Sequence, residues 1–232
     1  MDALWSQIVQ WLHRVGLHVD AGTAQAVADG AARATQQLDM PGLLALAAAL
    51  GWASGVRLYA VVFIVGGMGG WLALPPALAV LQHPAVLMAS GFMLVVEFFA
   101  DKVPWLDSAW DAVHAFIRVP AGALLAAGVF GASDAGMAMA AGLLGGSLSA
   151  AALATKMTAR AAANTSPEPF SNWGLSFLED GMVVGVVWLA TQHPLAFGLA
   201  LAVVLLLSAL LLVVLFKFLR AVLRRVSSLF SG

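Results

Sequence analysis

The chain has 232 residues, of which 62% are hydrophobic and only 10% are charged, and its mean hydropathy is +0.93. Soluble domains carry about 25% charged residues, so this composition excludes an ordinary soluble protein and predicts an integral membrane protein. The net charge of −1 argues against a nucleic-acid partner, and the absence of cysteine excludes disulfides and thiolate metal sites.

The apolar runs favour helices over a membrane β-barrel. A bilayer requires every backbone polar group to be satisfied internally, and a barrel would show alternation over segments of about ten residues. This chain instead has unbroken runs rich in Ala, Leu, Val and Gly. The predicted fold class is therefore all-α, a polytopic helical membrane bundle with five to seven membrane segments.

Residues 1–40 predict amphipathic helices that precede the first span. The apolar residues there recur at spacings of three and four, which places them on one helical face. Such a helix lies in the membrane interface or caps the rest of the protein, and the pattern fits both. The residues on this face are Trp5, Ile8, Leu12, Val15 and Val19.

Five segments have the length and composition expected of membrane spans, because a span needs about 20 apolar residues, or about 17 if it is short. They are residues 40–66, 84–100, 119–133, 135–155 and 194–216. Two shorter apolar pieces, 72–81 and 181–190, predict thin spans, half-helices or re-entrant segments.

Two repeated tripeptides predict an internal duplication. GLL occurs at 42–44 and 142–144, and QHP occurs at 82–84 and 192–194, in the same order in each half. The predicted organisation is N-terminal helices in 1–40, a first half in 41–118, a linking span in 119–140, and a second half with a basic tail in 141–232. Parallel and inverted repeats both remain open. Interrupted hydrophobic segments in paired halves are typical of secondary transporters, whose site lies at the repeat interface.

Acidic residues near the end of the second predicted span indicate a cation or proton site. Glu97 and Asp101 are four residues apart and share a helix face, although a solvated helix end would also explain them. Arg57 lies about 16 residues into the first span, where a lone cation is costly. We therefore expect an acidic partner for it, with Glu97, Asp101 and Glu168 as candidates.

A second helix is predicted after Pro104, with a polar stripe and an apolar stripe. The polar stripe predicts a helix that lies against the protein or the interface and ends at Pro120, with Asp107 reaching solvent. The members of the polar stripe are Asp107, Asp111, His114 and Arg118.

Another polar cluster occupies residues 155–181. Lys156, Arg160 and Asn164 are spaced by four and share a helix face. Ser176 and Glu179 fit a capping box, which predicts that they begin a new helix.

Together these clusters predict a substrate or ion pathway through the membrane. Its candidate residues are Arg57, Glu97, Asp101, Lys102, Lys156, Arg160, Asn164 and Glu168. The chain lacks GxSxG, HExxH and a phosphate-binding glycine loop, so we expect neither an enzyme nor a cofactor, and we leave a metal ion open.

Two segments carry a resemblance to a known family. EFFADKVPWLDSAWDAVHAFIRVPAGALLA (97–126) and NTSPEPFSNW (164–173) resemble signature segments of a bacterial membrane family catalogued as domain of unknown function 4126. The resemblance covers roughly residues 42–220 and implies a polytopic helical membrane protein without an assigned activity. EFFADK more loosely resembles the E-x-G-D-K/R-T/S motif of duplicated cation/proton exchangers, with Ala100 in place of glycine.

The leading functional prediction is a cation- or proton-linked secondary transporter or channel. A lipid scramblase or lipid-binding protein and a non-transporting assembly partner are the alternatives, and 135–154 supports the latter because small residues permit close helix packing. Expected partners are membrane lipid and a small ion or solute, and a homo-oligomer is left open. The basic tail predicts a cytoplasmic C-terminus, and the family resemblance implies a bacterial inner-membrane protein. The cations of the tail are Lys217, Arg220, Arg224 and Arg225.

Overall fold

The computed structural model describes residues 39–69, 74–131, 134–163 and 170–230, and within these ranges the protein is entirely helical. The predicted N-terminal helices lie outside the described residues. The helices are α1 (Met40–Gly67), a 3-10 helix (Pro76–Gln82), α2 (Pro84–Ala100), α3 (Pro104–Phe130), α4 (Ala135–Ala163), α5 (Phe170–Gln192) and α6 (Pro194–Phe230). The predicted fold class, a polytopic helical membrane bundle, is confirmed.

Prolines mark the starts of several helices, because a first-turn proline loses no helical hydrogen bond. Pro84, Pro104 and Pro194 are the first residues of α2, α3 and α6. At the start of α2, the His83 ring nitrogen Nδ1 accepts a hydrogen bond of 3.2 Å from the Ala85 amide. The local sequence thus fixes where these helices begin.

Five helices in the described ranges are long and apolar enough to cross a membrane. They are Met40–Gly67, Leu106–Phe130, Ala135–Ala162, Trp173–Gln192 and Pro194–Val214. The 3-10 helix and α2 meet at an angle of 66°, and together they would make a sixth, broken span. The 17 residues of α2 rise about 26 Å, which is less than the hydrocarbon core of about 30 Å. The short piece 181–190 is an ordinary part of α5.

One sequence prediction about α3 is wrong. The helix does not end at Pro120 but continues to Phe130, so the predicted boundary at 118/119 falls inside one helix. A proline interrupts the helical hydrogen bonds, but inside a membrane bundle a neighbouring helix can support the backbone nearby. In α4, the Ser149 hydroxyl donates a hydrogen bond of 3.0 Å to the Arg118 carbonyl.

Small residues hold α1, α3 and α4 together at the centre of the bundle. A Cβ placed on Gly51 would lie 2.5 Å from the Gly145 Cα atom, and one on Gly145 would lie 2.9 Å from the Gly122 carbonyl oxygen. Only glycine permits backbones to approach this closely. The small-residue face of α4 therefore packs against helices of the same chain. The small residues of this helix are accordingly weak support for an assembly partner.

The first helix is broken at Arg57, whose backbone is extended, with φ −149° and ψ 86°. The first arm, residues 40–56, packs on α4, where Gly55 abuts the Ser149 carbonyl. The second arm, residues 58–67, packs on the 3-10 helix, where Gly66 abuts the Leu81 carbonyl. Arg57 thus stands at the corner between two arms that have different partners.

Candidate functional site

A network of ten charged side chains surrounds this corner inside the bundle. We call it the ion network. Helices α1 to α5 and the turn after α2 all contribute, and every member except Asp180 is exposed by 5% or less. Its cations are Arg57, Arg118, Lys156 and Arg160, and its acids are Glu97, Asp101, Asp107, Asp111, Glu179 and Asp180.

Asp101, in the turn after α2, is held by two guanidinium groups and a hydroxyl. Arg57 donates to its Oδ2 atom, Arg160 donates to the same atom at 3.1 Å, and Ser176 donates to it at 3.2 Å. Burial alone would raise the pKa of Asp101, but the positive charges of Lys156, Arg57 and Arg160 outweigh it and hold this pKa below its usual range. Asp101 is therefore a firmly ionised anchor of the network.

Glu179 brings α5 into the network. It accepts hydrogen bonds of 3.3 Å from Arg57 and 2.9 Å from Arg160, and Lys156 lies 3.4 Å away. The predicted capping box at Ser176 and Glu179 is wrong, because α5 already begins at Phe170 and both residues are inside it. Their side chains turn inward because the cations of α1 and α4 lie there.

The other side of the network joins α2, α3 and α4. Arg118 donates to Glu97 and, at 2.6 Å, to Asp111. The Lys156 ammonium lies 3.5 Å from Glu97 and 3.3 Å from Asp111, and it donates a hydrogen bond of 3.1 Å to the Val56 carbonyl. Lys156 thus links both sides of the network to the backbone at the break in α1.

The polar stripe of α3 faces the opposite way from the prediction. Asp107 does not reach solvent: it is fully buried, and its carboxylate lies 4.0 Å from Arg160. On the predicted apolar stripe (Leu106, Trp110, Val113 and Ile117), Val113 and Ile117 are 64% and 46% exposed. The spacing identified both stripes correctly, but lipid is the solvent here, so the apolar face is the outer one. Of the remaining stripe residues, Asp111, His114 and Arg118 are also buried.

The ion network carries more negative than positive charge. If every group is ionised, six acids against four cations leave an excess of two negative charges. Buried uncompensated charge is costly in the membrane interior, so the network favours the binding of a proton or a cation. Four carboxylate oxygens are buried without a hydrogen-bond partner in the described part of the chain: Glu97 Oε2, Asp101 Oδ1, Asp111 Oδ2 and Asp180 Oδ1.

The structure brings together five of the predicted pathway residues. The expected acidic partner of Arg57 is Asp101, whereas Glu97 pairs with Arg118 and Lys156. Lys102 lies apart from the network, with its ammonium 2.9 Å from the centroid of the Phe98 ring. Asn164 and Glu168 are outside the described residues.

The sequence analysis did not select five members of the ion network as pathway residues. Three of them lie on the polar stripe of α3. The spacing would have identified them as buried if the apolar stripe had been assigned to the lipid-facing side. The other two follow Ser176 in α5, where a capping pattern hid them. These five residues are Asp107, Asp111, Arg118, Glu179 and Asp180.

A family model described as "Domain of unknown function (DUF4126)" matches residues 44–214, which is more than half of the chain and includes the whole ion network. No curated protein and no solved structure matches the chain.

Proposed function

Since the chain belongs to the family described as a domain of unknown function (DUF4126), we propose its activity from the chemistry of its own site. The protein is a cation- or proton-linked secondary transporter or channel, and its ion path runs through the ion network. The observation that carries this proposal is a cluster of six acids and four cations at a helix break inside a membrane bundle, with carboxylate oxygens that lack a hydrogen-bond partner among the described residues.

Two physical arguments support an ion pathway. Ionisable residues inside a membrane are expensive to keep, and they mark ion paths and proton relays. Discontinuous membrane helices place free backbone groups at the sites of secondary transporters. Here the break at Arg57 and the Val56 carbonyl, bound by Lys156, lie in the same cluster as the excess acids.

The arrangement of the acids favours a proton over a metal cation. A bound Mg²⁺ or Ca²⁺ takes six or more oxygen ligands, which must converge on one point. No group of three or more His, Asp or Glu side chains converges in this way among the described residues. A proton needs a single carboxylate oxygen, and the unpartnered oxygens of Glu97 and Asp111 are of this kind.

Burial of the network favours a transporter over an open channel. Glu97, Asp101 and Asp107 are fully buried. A proton can leave such a site only when the helices rearrange, and such alternating access is how secondary transporters work. The alternative of a lipid scramblase requires polar side chains that face lipid, whereas these acids face the interior.

Sequence order and charge give a topology for this transporter. The two QHP tripeptides end at Pro84 and Pro194, the prolines that begin α2 and α6. The basic tail favours a C-terminus on the cytoplasmic side of a bacterial inner membrane. Alternation of spans then puts the α4–α5 connection on the same side, so Arg160 lies toward the cytoplasmic half.

Reconstitution into liposomes tests this proposal. Proton flux is followed with an internal pH-sensitive dye, and lipid scrambling is followed in parallel with a labelled lipid, against empty liposomes. We expect proton flux with intact leaflet asymmetry. Lipid equilibration without proton flux would contradict the proposal and support the scramblase alternative.

A further inference from the structure

A groove opens on the lipid-facing surface between α1, α2 and α5. Its volume is about 280 Å³, and its wall is apolar apart from one carboxylate. Val95 and Val184, at its rim, are 54% and 48% exposed. The wall includes Ile64, Leu94, Val95, Phe98 and Val184, and the carboxylate belongs to Asp180.

Asp180 connects this groove to the ion network. Its side chain is 36% exposed, although its Oδ1 atom is buried and has no hydrogen-bond partner within the described ranges. Its Oδ1 atom faces Arg57 in the ion network, and the residue also lines the groove.

The negative charge of Asp180 is only partly compensated. Arg57 Nη1 lies 3.1 Å from Asp180 Oδ1, but the two atoms are misaligned and form no hydrogen bond. The same guanidinium also serves Asp101 and Glu179. A carboxylate beside apolar walls and an acidic network attracts a positive charge strongly, because the surrounding dielectric constant is low.

We propose that this groove binds a small apolar molecule with one ammonium group, and that Asp180 is the counter-ion of that group. An apolar body fills the groove while the ammonium forms a charge-assisted hydrogen bond to the carboxylate. A fatty acid would place its carboxylate against Asp180. A zwitterionic lipid would bring a phosphate to a network that already has excess negative charge. The occupant is therefore a free amphipathic amine.

The volume limits the size of the ligand. At about 30 Å³ for each water in the liquid, the groove holds the equivalent of roughly nine water molecules. A ring and a short alkyl chain that ends in an ammonium group fit this space. This proposal rests on the proposed function in one respect, because it names the substrate class of the transporter.

Equilibrium binding tests the proposal without any measurement of transport. The purified protein in lipid nanodiscs is titrated with radiolabelled phenylbutylamine, and then with phenylpentanoate, which has the same body and the opposite charge. We expect saturable binding of the amine and at least about tenfold weaker binding of the acid.

Three variants separate the parts of the site. Asp180→Asn removes the charge and is expected to weaken amine binding about tenfold or more. Val184→Trp fills the groove but keeps the carboxylate, and it is also expected to weaken binding. Asp134→Asn is the control, because it removes an exposed carboxylate at the start of α4. Asparagine can still accept the 2.9 Å hydrogen bond from the Met137 amide, so the helix keeps its cap. Amine binding should not change in this variant. Helical content by circular dichroism confirms that each variant is folded.

Two outcomes would overturn the proposal. Equal binding of the amine and the acid, unchanged in Asp180→Asn, would show a groove for acyl chains. No saturable amine binding would show that the groove does not hold an amine. Proton flux in a protein that binds no amine would reject this inference alone, whereas amine binding without proton flux in the presence of the amine would reject the proposed transport function.

Discussion

Replacing Arg57 with glutamine removes the cation at the corner of α1 and measures how far the bundle depends on the ion network. Arg57 is fully buried between Asp101, Glu179 and Asp180. In the variant, Asp101 and Glu179 keep Arg160 as a partner. Asp180 loses its 3.1 Å ion pair with Arg57.

The size of the effect follows from these contacts. Removing one partner of a buried ion pair costs about 3–5 kcal/mol. Because Arg160 still compensates two of the three acids, we expect Arg57→Gln to lower the free energy of unfolding by about 3 kcal/mol at neutral pH. The loss should shrink in acid, because protonation of carboxylates removes the excess negative charge.

The assay is denaturant or thermal unfolding of the purified protein in detergent. Arg220→Gln, on the exposed surface of α6, is the matched control, and a surface change of this kind stays within about 0.5 kcal/mol. If Arg57→Gln is as mild as this control at neutral pH, the reasoning that the ion network supports the broken helix is refuted.

Further predictions concern packing, pH and topology. Gly55→Ala should lose about 1–3 kcal/mol of stability, because a Cβ there overlaps Ser149. Gly185→Ala should lose nothing, because a Cβ at Gly185 meets no atom within 4 Å. Equal unfolding midpoints of the two variants would contradict this prediction. Since the pKa of Asp101 is lowered on folding, its contribution to stability is present above about pH 4 and disappears as pH falls further. In Asp101→Asn, the free energy of unfolding should therefore depend less on pH in this acidic range. A reporter fused after Gly232 should be active in the cytoplasm, and periplasmic phosphatase activity would reverse the topology.

Local patterns in the sequence predicted much of the fold. Apolar runs and first-turn prolines gave most of the helices, and the i, i+4 spacing placed Glu97 and Asp101 on one face. The same spacing grouped Asp111 and Arg118 on α3. What this spacing could not give is the direction of the stripe, since the outer face depends on whether the solvent is lipid or water.

Contacts between distant residues could not be predicted from local patterns. Arg57 and Glu179 are 122 positions apart, and nothing near either residue specifies the other. The need for a partner was predictable, because a lone cation inside a span is costly. The sequence narrowed the identity of this partner of Arg57 to three candidates, and Asp101 was one of them. The extended backbone of Arg57 was hidden within an apolar run that reads as one continuous helix.

The central claim is that protons pass through the ion network, and potential-driven proton flux in proteoliposomes tests it most directly. The wild-type protein is compared with Glu97→Gln, which removes one buried acid and keeps its shape, and with Asp134→Asn, which removes an exposed acid. Circular dichroism first establishes that both variants are folded. We predict that Glu97→Gln lowers the flux at least about tenfold, as expected when a positioned proton carrier is lost, and that Asp134→Asn leaves it unchanged. Equal flux through all three folded proteins would contradict the claim and leave the ion network as a structural element only.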